Sequence, residues 1–206
     1  MYNLKKNLEN AKSKLKNADA ILVLTGAGMS VDSGIPTYRG NNGLWEKEIR
    51  INNKMYSYDE ISSLKMWKEF PKLAWGFKSN FIRLINSKKP HSGYNNLLKN
   101  LKNKFQNNYF ICTSNIDGYF LNSGFDKNKI YELHGSVRYL QCFDKKCNIR
   151  NGVWNIDKIP AFDEKTLIAK ELLKCPYCGH LARPNVSMFG DFDFYGIPYE
   201  HQKRRL

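Results

Sequence analysis

The stretch that most constrains this chain is Ile21-Leu22-Val23-Leu24-Thr25, followed at once by Gly26-Ala27-Gly28-Met29-Ser30. A run of branched apolar residues predicts a strand buried on both faces, and a Gly-x-Gly turn after it lets backbone approach a ligand closely. Where such a strand feeds a helix, the free N–H groups and the positive helix end face the turn, which suits a diphosphate. Gly-x-Gly alone is a weak signal, because the dinucleotide fingerprint needs a third Gly where Val31 stands. The continuation Ser33-Gly34-Ile35-Pro36-Thr37-Tyr38-Arg39 strengthens it by setting a cation and an aromatic face beside the turn.

Two later segments repeat the arrangement. Tyr109-Phe110-Ile111-Cys112-Thr113 reads as a second buried strand running into Ser114-Asn115-Ile116-Asp117-Gly118, and Lys129 to Leu133 as a third that delivers His134-Gly135. Ligands of open α/β sheets bind outside the carboxyl ends of the strands, so Asn115, Asp117 and His134 fall beside the Gly turn. Taken singly, Asn115 and Asp117 fit an Asx turn that caps a short helix, and a lone His is more often packed or on the surface than catalytic. Three successive strand ends carrying Gly-Ala-Gly, Asn-x-Asp and His-Gly form a constellation.

Around these strands, Leu4, Leu8, Ala11 and Leu15 repeat at helical spacing and predict an amphipathic helix over 3–17 that packs on the fold after it. Residues 40–57 read as a long loop, with Leu44 and Trp45 as the apolar part that closes over a site. Three helices are expected over 59–105, marked by Ile61, Leu64 and Trp67, by Leu73, Phe77, Phe81 and Leu84, and by Leu97, Leu98, Leu101 and Phe105. Such aromatic stripes are core far more often than ligand boxes.

From Arg138 to Arg183 the strand pattern gives way to Cys142-x4-Cys147 and Cys175-x2-Cys178. Two short-spaced pairs in a chain with no apolar leader favour a four-thiolate zinc site over disulfides, and with no coordination position left open the zinc is structural. The 206 residues allow one domain with a small insert, and no run is long enough for a membrane span. The chain is therefore expected to be intracellular, in the cytoplasm, with no membrane partner. The net charge of +14 points toward acidic partners, but 25 of the 33 basic residues are scattered Lys, so nucleic acid stays a minor alternative. The fold expected is α/β: a Rossmann-like parallel sheet with helices on both faces (1–137 and 184–206) plus a zinc-binding insert (138–183).

The quoted motifs, with Arg183-Pro184-Asn185-Val186-Ser187-Met188-Phe189-Gly190-Asp191, resemble the sirtuins, NAD-dependent protein lysine deacylases, in the family's order from about residue 20 to 191. The resemblance implies that Gly26, Ala27, Gly28, Ser30, Ile35, Pro36, Tyr38, Arg39, Trp45, Ser114, Asn115, Ile116 and Asp117 bind NAD. It implies His134 as general base, zinc on Cys142, Cys147, Cys175 and Cys178, and an acylated-lysine peptide laid against Val186, Met188, Phe189 and Gly190. Such an enzyme is a transferase that passes the acyl group to ADP-ribose and releases nicotinamide. The same site without an acyl acceptor role would make an NAD glycohydrolase or ADP-ribosyltransferase, and without catalysis a zinc-bearing binding module.

Several positions depart from the family pattern. Ser114 stands where Gln is usual and Thr37 where Asp is commoner, and Pro90-His91-Ser92-Gly93-Tyr94 matches only loosely. Lys78 and Phe81 occupy the region where some members carry a Tyr and Arg pair for acidic acyl groups, so a neutral acyl group is expected. The sequence ends about 15 residues after the Phe-Gly-acid motif, and the sheet is expected to be incomplete there, with an apolar edge.

Overall fold

The computed structural model describes residues 3–39, 43–46, 48–51, 53–144, 146–147, 153–191 and 204. Its first helix, α1 (Leu4–Asn17), starts where the Asn3 side chain accepts the Lys6 N–H at 3.4 Å and ends on Lys14 and Lys16, which complement the helix dipole. The periodicity is as the sequence predicts, but the packing is not. No α1 residue is buried, and Leu4, Leu8 and Leu15 are 69%, 61% and 50% exposed.

The strand β1 (Ile21–Thr25) alternates rather than lying buried on both faces, with Leu22 and Leu24 turned outward at 49% and 71% exposure. The physical reason is that no described element covers the second face of the sheet at Leu22 and Leu24. Following the short hairpin strands β2 (Ile49–Ile51) and β3 (Lys54–Tyr56), the strands β4 (Tyr109–Thr113) and β5 (Ile130–Glu132) complete a parallel sheet in the order β1-β4-β5. Among the described residues β1 is therefore an edge, and only one of its faces meets the helical layer.

The register of this sheet positions the site. Thr25 lies opposite Thr113, and Thr113 opposite Glu132, so all three strands stop level. The ladder continues one residue further, with Ser114 N donating to Thr25 O at 3.1 Å and Leu133 N to Thr113 O at 2.8 Å. The chain thus leaves three strands at one edge, in the segments that carry Gly26, Asn115 and His134.

The expected loop over 40–57 contains the β2–β3 hairpin, with Ile49 opposite Tyr56. The first of the three expected helices is divided in two, α2 (Tyr58–Ile61) and α3 (Leu64–Glu69), because Ser57 and Ser63 each accept a backbone N–H three residues on and start a helix of their own. Next, α4 (Pro71–Asn86), with Pro at its first turn, and α5 (Ser92–Phe105), capped by His91, lie where periodicity places them. Their aromatic residues are core, as expected: Trp67 and Trp75 pack edge to face at 5.2 Å, and Tyr94 meets Phe120 at 5.0 Å.

Beyond the short α6 (Tyr119–Asn122), a second sheet holds β6 (Gly135–Cys142), β7 (Val153–Asn155) and β8 (Ala182–Val186) in the order β7-β6-β8. As an edge strand, β8 tolerates Pro184. It is buried throughout and locked by polar side chains: Arg183 pairs bidentately with Asp191 at 2.7 and 3.1 Å, and Asn185 donates to Gln141 at 2.8 Å. Helix α4 presses on this region through Trp75, whose indole N–H meets Ala182 O at 2.9 Å, and through Gly76, where a Cβ would fall 1.9 Å from Leu167 O. Among the described residues no helix is long and apolar enough to cross a membrane.

Candidate functional site: a cavity at the strand ends and a four-cysteine cluster

After β1 the chain does not enter the α-helix that a phosphate turn commonly feeds. Residues Ala27–Ser33 form a 3₁₀ helix, closed by Gly34 at a φ of 83°. The tighter winding aims Ser30 into the core, where its hydroxyl organises two groups from the β4 end and one from α5. Ser30 Oγ donates to Asp117 Oδ2 at 2.6 Å, receives Asn115 Nδ2 at 3.1 Å and lies 2.9 Å from the Tyr94 hydroxyl. A hydroxyl has one proton and two acceptor positions, so with its proton on Asp117 the Tyr94 hydroxyl must be the donor.

The second carboxylate oxygen of Asp117 accepts Tyr119 N at 2.9 Å, an Asx turn that leads into α6. Burial pushes the Asp117 carboxyl up, while the Ser30 and Tyr119 hydrogen bonds hold it down. His91 braces the same turn from α5. Its Nδ1 accepts Gly93 N at 3.0 Å, so the neutral ring carries its proton on Nε2 and donates it to Met29 O at 2.9 Å. Tyr94 and His91 belong to the segment that only loosely matches the family pattern, and their part in holding the turn was not read from sequence.

In front of this framework lies a cavity of about 680 Å³, lined by Ala27 and Gly28 from the turn, Tyr38 and Arg39 beyond it, Ser114, Asn115 and Ile116 from the β4 end, and His134 from the β5 end. Met188 and Phe189 form a further wall. Ser30, Ile35, Pro36 and Asp117 line a narrow annex that shares Ala27, Tyr38, Asn115 and Ile116. His134 is on the surface of the turn between β5 and β6, and the surrounding walls desolvate it enough to lower its pKa, so it is a neutral base at pH 7. Its carbonyl accepts Ser187 N at 3.0 Å, and Phe189 O accepts Leu64 N at 3.0 Å, so the 187–189 wall is tied to both sides of the cavity.

Some expected site residues lie elsewhere. Gly26 begins the turn but does not line the cavity, and a Cβ there would come within 3.4 Å of Ser114 Oγ. Val186 belongs to the buried face of β8, and Gly190 follows the cavity wall at a φ of 69°. The backbone of Trp45 lies in a single 3₁₀ turn, Leu44–Glu46, and its side chain is outside the described residues. Lys78, Tyr58 and Ser62 line the cavity as well; sequence reasoning gave Tyr58 and Ser62 no place in the site and noted Lys78 only in the region of the acyl-selecting pair.

The four paired cysteines converge. Their sulfurs all lie within 4.8 Å of one another, with Cys142 Sγ to Cys178 Sγ at 3.5 Å and Cys147 Sγ to Cys175 Sγ at 3.8 Å. These separations are far beyond a disulfide and match the ~3.8 Å edge of a sulfur tetrahedron built on Zn–S bonds of about 2.3 Å. The knuckle Cys175–Gly179 closes through Gly179 N to Cys175 O at 3.0 Å, with Gly179 at a φ of 74°. Backbone N–H groups point at the sulfurs: Asp144 N meets Cys142 Sγ at 3.4 Å, and the His180 N–H holds the Cys178 thiol down to about 6. The donor set fits a zinc ion with no open position.

The chain belongs to the Sir2 family, whose model matches residues 26–194. It is 33% identical over 182 residues to the NAD-dependent protein deacylase 1 of Caldanaerobacter subterraneus subsp. tengcongensis, which aligns 87% of this chain with 64% of that protein. The NAD-dependent protein deacylase of Thermococcus kodakarensis is 34% identical over 184 residues, with 89% and 65% covered. Among solved structures, a Sir2 homologue in complex with NAD superposes with a TM-score of 0.68 at 26% identity, over 89% of this chain and 62% of that one. The chain thus spans slightly under two thirds of the length of these relatives.

Proposed function

We propose that this chain is an NAD-dependent protein lysine deacylase acting in the cytoplasm, where reduced paired thiols keep their zinc. The observation that carries the reading is the convergence of the Gly turn, Asn115 and His134 on one cavity at a single sheet edge. NAD would supply the electrophilic ribose carbon and a modified lysine its acyl oxygen, so that with one water consumed the products would be nicotinamide, the free lysine amine and O-acyl-ADP-ribose.

The residues of this chain then have distinct tasks. Backbone N–H groups of Ala27 and Gly28, on the cavity lining, would face the diphosphate, and a Cβ at Gly28 would meet nothing within 4 Å, so the approach there is open. Arg39, an exposed cation on the cavity wall, supplies charge to the same phosphates. The annex built by Ile35, Pro36 and Asp117 takes the carboxamide end, with Ser30 fixing the carboxylate and Asn115 presented toward the ribose. His134, neutral at working pH, takes a proton from a ribose hydroxyl. Ser187 to Gly190 offers backbone to an acylated-lysine peptide, with Met188 and Phe189 along the lysine stem. Of the described residues, those within 138–183 would form a zinc-bearing module and those within 1–137 and 184–191 the nucleotide-binding part; most of the expected extension to 206 lies outside the described residues.

The test is an incubation of zinc-loaded protein with NAD and acyl-lysine peptide, measuring nicotinamide. The reading predicts peptide-dependent release that His134→Ala lowers by about 100-fold or more, the usual range for a general base. Release that ignores the peptide would replace it with a glycohydrolase.

A further inference from the structure

Lys residues that are scattered along the sequence are gathered by the fold. Each of the three parallel strands is preceded by a Lys-x-Lys: Lys14-Leu15-Lys16 before β1, Lys102-Asn103-Lys104 before β4 and Lys127-Asn128-Lys129 before β5. The first two pairs stand in the last turns of α1 and α5, where a cation complements the helix dipole, and the third in a single 3₁₀ turn. A helix end accounts for a pair taken alone. The meeting of three pairs comes from the sheet: its strands run parallel, with Ile21 opposite Tyr109 and Ile111 opposite Ile130, so the turns that precede them are carried to one edge, away from the cavity at the other strand ends.

The bonds that close this edge leave its charge in place. Ile21 N donates to Asn108 O at 3.0 Å, Lys104 Nζ to Lys16 O at 2.8 Å, and Lys129 Nζ to Asn107 O. The two ammonium groups thus meet neutral carbonyls, which use one of the three donors of each and cancel none of the charge. Among the described residues none of the six Lys makes an ion pair, and all but the half-buried Lys129 are exposed. The connecting turns hold two carboxylates, Asp19 and Asp126, against those six cations. From Phe70 to Ile116, a span that includes α5 and the turn into β4, the sequence has no Asp or Glu and eight Lys or Arg.

The neutral side chains select the partner. Apart from Leu15, the large neutral side chains exposed in and after these last turns are amides: Asn17, Asn103, Gln106, Asn107 and Asn108. Lys and amide groups are donors suited to phosphate and sugar oxygens. A lipid surface calls for apolar and aromatic side chains reaching out between the cations, and base readout for Arg forks or exposed aromatic rings.

We infer that this edge is a docking surface for the phosphodiester backbone of duplex nucleic acid, bound without regard to base sequence. From β1 to β5 the strand starts span about 10 Å, over which one strand of a duplex presents about three phosphates. The surface is separate from the cavity, so the inference does not depend on the deacylase reading. It gives nucleic acid a place beside the site rather than instead of it.

The test is fluorescence anisotropy of a labelled DNA duplex of about 20 base pairs titrated with the zinc-loaded chain, repeated with a duplex of unrelated sequence. With about four phosphates neutralised, affinity should fall about 100-fold between about 50 and 200 mM salt, and the two sequences should bind within about threefold of each other. Lys14, Lys102 and Lys127 have side chains with no hydrogen bond or ion pair among the described residues, so their joint replacement by Gln should leave the fold intact. It should weaken binding at the lower salt at least about tenfold and make the slope of log affinity against log salt shallower by about 2 to 3. Replacing Lys65, Lys165 and Lys170 by Gln removes the same charge from exposed positions elsewhere and should weaken binding less than about threefold. No binding at the lower salt, equal weakening by the two triple variants, or a strong preference for one sequence overturns the inference. Phosphatidylserine vesicles or polyglutamate held as tightly as the duplex, and released by the Lys14, Lys102 and Lys127 changes, would assign the edge to a lipid surface or an acidic protein and also overturn it.

Discussion

Replacing Ser30 by Ala removes one oxygen and strands three buried groups. Ser30 Oγ donates to Asp117, accepts from Asn115 and accepts from Tyr94, at 2.6, 3.1 and 2.9 Å, and all four residues are buried. Leaving a buried polar group unsatisfied costs about 1–3 kcal/mol, with a carboxylate at the upper end, so the gross cost of losing three bonds is roughly 3–9 kcal/mol. The adjoining annex has about 20 Å³ of open space, enough for one water to repair part of the damage. The expected loss is therefore near the lower limit, about 3 kcal/mol.

Tyr94→Phe removes only one of these partners and should cost about 1 kcal/mol. In the Ser30→Ala background that hydroxyl is already stranded, so removing it should cost nothing, and the coupling energy should be about 1 kcal/mol. The pH dependence has a definite sign. The Ser30 bond lowers an Asp117 carboxyl that burial raises, so losing it raises the folded pKa further. Stability contributed by a raised carboxyl is complete below its unfolded value and is lost as pH rises to its folded value. Both proteins lose stability equally with rising pH until the parent's folded value is reached, so the deficit of Ser30→Ala should widen only above that value, which burial sets above that of a free carboxyl. Urea unfolding of the zinc-loaded single and double variants reads all of this. A Ser30→Ala protein within about 0.5 kcal/mol of the parent, or strict additivity with Tyr94→Phe, would refute the reasoning.

Two more outcomes are expected from buried and clustered groups. Burial pushes the Glu132 carboxyl up to about 7, so its favourable contribution is complete below about pH 4.5 and lost as pH rises through about 7. Glu132→Gln should flatten the stability profile over that window and be more stable than the parent at pH 8 by roughly 3 kcal/mol, measured by urea unfolding at a series of pH values. For the cysteine cluster, metal analysis should give one zinc per chain. Chelation should lower the thermal midpoint by more than about 10 °C, because a structural zinc contributes well over the few kcal/mol that such a shift requires. An unchanged midpoint in verified metal-free protein would count against a structural zinc.

The features legible from sequence had local causes. The β1, β4 and β5 strands are each closed by turn residues, so their ends, and with them Gly28, Asn115 and His134, could be placed at one sheet edge before any contact was known. The cysteine cluster was legible because spacing alone limits what four thiols can do. The Leu pattern of α1 and the apolar run of β1 were legible as helix and strand but not in their burial, because periodicity identifies an apolar face without saying whether anything covers it. The two caps at Ser57 and Ser63, three residues ahead of Glu60 and Met66, could have divided α2 from α3, since the first has the signature of a capping box. Tyr94 and His91 left no such trace. Their roles arise from contacts across 64 and 62 residues of chain, which an amphipathic helix pattern does not record.

The central claim is that the cavity at the strand ends takes NAD, and the most direct measurement is calorimetric titration of NAD into the folded, zinc-loaded chain. Saturable binding of one NAD per chain is expected, weakened at least about tenfold by Asp117→Ala, which removes the carboxylate of the annex. No detectable heat in protein that is folded and carries its zinc, or binding indifferent to Asp117, would contradict it.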